Sequence, residues 1–168
     1  MIETICVLSK PKFCTLLLKK SSLKNYVVIS ICNTLKDNVM NLFNNKYAEC
    51  IDYISLSFHD VTPNELEVIK DLKLNLFTKS QAIEIVKFLI KHKNRTQKYN
   101  LIVHCDGGIS RSGAVGLFAC RFLKLDEKLF RIKNPYIHPN QYIFHLLKEV
   151  SGMKKTVQNE YNELFKNV

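Results

Sequence analysis

The chain has no tryptophan, only five glycines and four prolines in 168 residues, and no apolar run near the ~20 residues that a membrane-spanning helix needs. That scarcity leaves no Pro/Gly/Ser-rich linker long enough to separate domains, and no internal repeat is visible. There is no Cys-x-x-Cys pair: Cys6, Cys14, Cys32, Cys50, Cys105 and Cys120 lie too far apart for a zinc or dithiol redox motif. Cys6, Cys32 and Cys120 fall in apolar runs and read as small core residues. No metal site and no cofactor are expected. Glu3 stands where a secretory leader would be basic and then apolar, so no cleaved leader is expected. Residues 1–168 therefore read as one domain, large enough to bury a full core without metals or disulfides. Its hydrophobic share of 46% and charged share of 24% are ordinary for a globular protein.

Acidic residues are the scarcer charge, 15 against 25 lysines and arginines, for a net charge of +10. Such an excess attracts polyanions. It is read either as a solvated Lys-rich surface or as a field that steers an anionic substrate. No aromatic-interleaved basic patch points to nucleic acid.

Periodicity yields alternating elements. Thr4–Leu8, Tyr26–Cys32, Cys50–Phe58 and Leu101–His104 read as strands. Phe13–Lys20 is readable as helix or strand, and Asp37–Asn44 as a short helix. Lys79–Lys93 carries a helical stripe at Ala82, Ile83, Val86, Leu89 and Ile90, with Ser80 as its expected cap. Ala114–Lys124, Pro139–Val150 and Thr156–Lys166 read as further helices. The expected class is α/β: a mainly parallel central sheet flanked by helices, with ligand at the carboxyl ends of its strands.

One strand–loop–helix turn carries chemistry: His104-Cys105-Asp106-Gly107-Gly108-Ile109-Ser110-Arg111-Ser112-Gly113. A loop that opens onto a helix N-terminus directs backbone N–H groups at an anion. Converging amides and a guanidinium favour a thiolate, so Cys105 is expected to be acidified. Arg111 offers a planar fork for two oxygens of a tetrahedral dianion. Gly107 and Gly108 permit close backbone approach, and Ser112 can hydrogen-bond the sulfur. The chemistry these residues suit is phosphoryl transfer to Cys105 followed by hydrolysis.

This stretch resembles the signature of cysteine-dependent protein tyrosine phosphatases, in which His-Cys, five residues, Arg and Ser or Thr form the phosphate loop. The likeness is greatest to small dual-specificity-like phosphatases. Asn134-Pro135-Tyr136-Ile137-His138-Pro139-Asn140 is similar to the helix start that follows the loop there, and Leu56-Ser57-Phe58-His59-Asp60 to the strand end that carries the acid. The resemblance covers about residues 50 to 150. It implies Cys105 as nucleophile, Arg111 as clamp, residues 106 to 111 (Asp106, Gly107, Gly108, Ile109, Ser110, Arg111) as cradle, Ser112 as leaving-group helper, and His104 as a residue that orients the loop and helps acidify the thiol.

For the general acid, Asp60 is preferred over Asp71; Asp106 is an alternative whose side chain is expected to point outward, and His59 is given no role. The family's Trp-Pro-Asp loop is absent. The resemblance implies a cytoplasmic, monomeric phosphatase acting on phosphotyrosine proteins, with phosphoserine and phosphothreonine as a wider set. A phosphoinositide or RNA 5′-phosphatase, or a phosphate-binding pseudophosphatase, stays open as an alternative. A sulfurtransferase leaves Ser112 without a reason, and an arsenate reductase needs a resolving cysteine that Cys120, in a helix interior, suits poorly.

Overall fold

In the computed structural model, residues 1–19, 23–37, 39–42, 50–68 and 72–153 are described. Strands β1 (Ile2–Ser9), β2 (Tyr26–Cys32), β3 (Asp52–Ser57) and β4 (Tyr99–Cys105) form one sheet in the order β1-β4-β2-β3. Every pairing is parallel, so the expected mainly parallel sheet is wholly so. The helices are α1 (Lys10–Lys19), α2 (Val39–Leu42), α3 (Pro63–Val68), α4 (Lys79–Lys93), α5 (Arg111–Phe122), α6 (Glu127–Lys133) and α7 (Gln141–Val150). No described helix is long and apolar enough to cross a membrane.

Alternation along the two inner strands divides the core into two layers. Val27, Ile29, Ile31, Leu101, Val103 and Cys105 face one side, where α4, α5, α6 and α7 supply Ile85, Leu89, Phe118, Phe130, Ile143 and Leu147. Val28 and Ile102 face the other, against Phe13 and Leu17 of α1 and Val39 and Met40 of α2. Ten consecutive residues of α5, Arg111 to Cys120, are buried. That is the environment of a helix apolar on every side. Gly116 lets it approach β1, since a Cβ there would stand 2.7 Å from Val7 Cγ2.

The edge strand β1 is tied to the end of α6. Asn134 Oδ1 accepts from Val7 N–H at 2.7 Å, and its Nδ2 donates to the carbonyls of Ile5 at 3.1 Å and Phe130 at 2.8 Å. At the amino end of the sheet, buried His92 lies 3.0 Å from Asp52 and 3.2 Å from the Tyr99 hydroxyl.

Several expectations shift by a few residues. The ambiguous segment from Phe13 is helix α1, which begins at Lys10. The helix expected from Asp37 is a 3-10 turn, Leu35–Asp37, followed by α2, with residues 43–44 outside the described set. The cap of α4 is Thr78, not Ser80. Thr78 accepts from Gln81 N–H and Gln81 returns a bond to the Thr78 backbone, a capping box. Asp71 and the helix expected over Thr156–Lys166 lie outside the described residues.

Candidate active site

The parallel register sets Ser9 beside Cys105 and Leu8 beside His104, so the chain leaves β4 at the carboxyl end of the sheet with a strand on each side. The next residues must turn sharply into α5. Gly108 makes that turn at φ +71°, a left-handed conformation that suits glycine. It also lies against β1, where a Cβ would fall 2.4 Å from Ser9 N. At Gly107 a Cβ would meet nothing within 4 Å, so the structure calls for glycine at only one of the two positions.

The loop's carbonyls are bound from outside. The Asp106 carbonyl accepts from Lys10 N–H at 3.2 Å, that of Ile109 from His138 N–H at 3.1 Å, and that of Ser110 from Asn140 N–H at 3.3 Å. In a trans peptide the C=O and the following N–H point opposite ways. The N–H groups of Gly107, Ser110 and Arg111 therefore face away from those donors. Gly108 N–H points at the Cys105 sulfur, 3.2 Å away, and Ser112 Oγ lies 3.0 Å from the same sulfur. Cys105 itself is 2% exposed.

Arg111 is a buried cation whose side chain is 6% exposed. Its Nη1 donates to Asn33 Oδ1 at 2.7 Å and to the Phe58 carbonyl at 2.8 Å, and its Nη2 donates to Asp106 Oδ2 at 2.8 Å. Among the described residues the buried Nε has no partner. A guanidinium has five N–H donors. With three engaged, one on Nε and one on Nη2 are left, and these are the adjacent atoms that form a bidentate fork. The Asp106 carboxylate turns onto Arg111 rather than outward as expected.

Asp60 reaches the rim of the loop. Its Oδ1 accepts from Ser110 Oγ at 2.8 Å and from Asn140 Nδ2 at 2.9 Å. Ser110 is the N-cap residue of α5, yet its hydroxyl makes no capping bond, because it is turned to Asp60. Asn140 also caps α7, its Oδ1 accepting from Ile143 N–H at 3.2 Å. His59, one residue before Asp60, accepts from Asn75 N–H through Nδ1 and has no bond to the loop.

His104 departs from its expected part. Its ring stacks on Phe13 across the sheet from Cys105, with centroids 4.1 Å apart, and both ring nitrogens are buried without a partner among the described residues. Burial pushes its pKa down to about 4, so it is neutral at pH 7 and lends the thiol no positive charge. Cys120 of α5 donates to the Leu125 carbonyl just past the helix, and burial pushes its thiol up to about 11, the state of a core cysteine.

Three contributors do not stand out in the sequence: Asn33, the Phe58 carbonyl and Asn140 as partner of Asp60. Asn140 does end the Asn134–Asn140 stretch that resembles the phosphatase helix start. For Asn33 no sequence signal exists, since a polar residue after a strand is unremarkable until the fold brings it to Arg111.

No protein-family model and no curated protein matches the sequence. Among solved structures the chain is similar to Tk-PTP in the active form, at 15% identity and TM-score 0.49 over 90% of this chain and 93% of that one. It is similar also to the human tyrosine phosphatase-like serine/threonine/tyrosine-interacting protein, at 16% identity and TM-score 0.43 over 86% and 85%. PTPMT1 in complex with PI(5)P is similar at 15% identity and TM-score 0.42 over 89% and 93%.

Proposed function

We propose that this protein is a phosphoric monoester hydrolase of the tyrosine phosphatase type, working through a phosphocysteine. What carries the reading is a buried guanidinium with two unused N–H donors, one on the unpartnered Nε, in the same short loop as a thiol that receives an amide and a hydroxyl. An unpaired N–H on a buried cation is costly, and a tetrahedral oxyanion satisfies it.

In this scheme the Cys105 thiolate attacks phosphorus. The S–P bond forms as the P–O bond to the leaving group breaks, and Asp60 gives that oxygen its proton. Water then attacks the phosphocysteine and yields a proton to the Asp60 carboxylate. The S–P bond breaks, the electron pair returns to sulfur, and the Ser112 hydroxyl stabilises the departing thiolate. The N–H edge of residues 107 to 111 and the Arg111 fork hold the equatorial oxygens throughout.

The substrate class proposed is phosphorylated protein, phosphotyrosine first. The Asp106 carboxylate on the guanidinium supports a substrate with one phosphate over a crowded polyanion, since like charges at close range repel. A nucleophilic thiol also suits a reducing compartment, the cytoplasm.

The deciding experiment is Cys105→Ser, assayed for phosphate release from a phosphotyrosine peptide and for binding of inorganic phosphate. Turnover should vanish while phosphate binding persists, because the cradle remains. Substantial residual turnover would refute the covalent scheme.

A further inference from the structure

We propose that Asn33 is a positioning residue for Arg111: a neutral acceptor that aims the guanidinium without neutralising it. The inference rests on the phosphatase reading of the loop and adds to it a residue from a different strand.

Asn33 follows the last residue of β2, and Phe58 follows the last residue of β3. These strands pair in register, Cys32 opposite Ser57. Past that pair they stay locked. Ser57 Oγ donates to the Asn33 carbonyl at 2.8 Å, and Phe58 N–H donates to the Cys32 carbonyl at 3.0 Å. The junction so fixed presents two acceptors to one nitrogen, Asn33 Oδ1 and the Phe58 carbonyl, which together take both N–H groups of Nη1.

Holding both hydrogens of Nη1 sets the plane of the guanidinium. The remaining fork on Nε and Nη2 then has one direction, chosen by the sheet rather than by the loop. Among the described residues the only carboxylate on the group, Asp106, belongs to the loop itself and moves with it. A carboxylate at position 33 would supply the same geometry but cancel charge that a phosphate dianion needs. An amide supplies direction alone.

The test is calorimetric binding of tungstate, an unreactive tetrahedral dianion, by the full chain at pH 7. Asn33→Ala should weaken binding about tenfold, the scale of one hydrogen bond to a charged group. In an Arg111→Lys background the same substitution should change nothing further, because lysine has no Nη1 to hold. Asn33→Asp, which preserves shape and acceptor, should also weaken binding through its added charge.

Equal weakening in both backgrounds would overturn the proposal, as would unchanged binding in Asn33→Ala or in Asn33→Asp. If Arg111→Lys itself leaves tungstate affinity unchanged, the phosphatase reading falls and this inference with it. If Arg111→Lys weakens binding and Asn33→Ala does not, only the inference falls.

Discussion

Arg111 and His104 are two buried basic side chains of one segment with opposite surroundings. Three acceptors replace water around the buried Arg111, whereas His104 has no hydrogen-bond partner among the described residues and burial drives its pKa down to about 4. The second case has a consequence for stability. The folded His104 takes a proton only near pH 4, while the unfolded chain takes one near its usual ~6.5. Between these values the unfolded state binds more protons, so stability falls as pH drops from about 6.5 toward 4. At pH 5 the loss should be about 2 kcal/mol, from ~1.4 kcal/mol per pH unit. Urea unfolding at pH 7 and pH 5 checks this, and His104→Leu should lessen the pH dependence. Asp106→Asn is expected to tighten inhibition by inorganic phosphate roughly threefold to tenfold, on the ~1 kcal/mol scale of a partly exposed charge pair; weaker inhibition would show that the carboxylate orients the cradle instead. Asp60→Asn should cut turnover of an alkyl phosphate far more than that of an activated aryl phosphate, whose leaving group needs little protonation. A uniform loss would leave the acid unassigned.

At the scale of elements, the loop depends on how closely β1, β4 and α5 meet. Gly108→Ala would force a side chain into left-handed backbone and into Ser9, so both stability and activity should fall, by a few kcal/mol in urea unfolding. Gly107→Ala, which meets open space, is the matched control. Asn140 joins two elements at once, and two variants separate its roles. Asn140→Ser keeps a good cap for α7, whereas Asn140→Ala costs about 1 kcal/mol of stability as well; both should show the leaving-group pattern of Asp60→Asn, and an Asn140→Ser enzyme without it would leave Asn140 a cap alone. Much of this is legible in the sequence where local pattern and tertiary demand agree. α4 runs over Lys79–Lys93 as expected, though Ile83 and Ile90 of its stripe are exposed and Ile85 and Phe88 are buried instead, and the strand before Cys105 announces itself by Leu101-Ile102-Val103. Helix α6 escapes a reading by periodicity because Phe130 is its only buried residue and charges occupy most of its length. Thr78 displaces Ser80 as cap because Gln81 completes the box three residues on. Asn33 cannot be read at all: its role is created by strand pairing between β2 and β3, and no local pattern encodes a partner 78 residues away.

Across the whole molecule the net charge is +10. If it steers substrate, kcat/KM for an acidic phosphopeptide should fall as salt rises to ~0.15 M, where the screening length is about 8 Å. A small aryl phosphate should respond less. Equal responses would mark the lysines as a solvated surface with no part in selection. The outer edge of the sheet raises a different matter. A parallel strand neighbour bonds to its partner through one N–H and one C=O, which reach the groups flanking a single residue. The Asn134 carboxamide does the same around Cys6, donating to the Ile5 carbonyl and accepting from Val7 N–H. One side chain thus imitates one residue of a fifth strand and seals part of the margin at which a second molecule could add itself. Asn134→Leu would reopen that margin, and its expected phenotype is self-association: concentration-dependent light scattering at a temperature where the parent stays monodisperse. Protection of the sheet edge, on this view, is written into a buried amide.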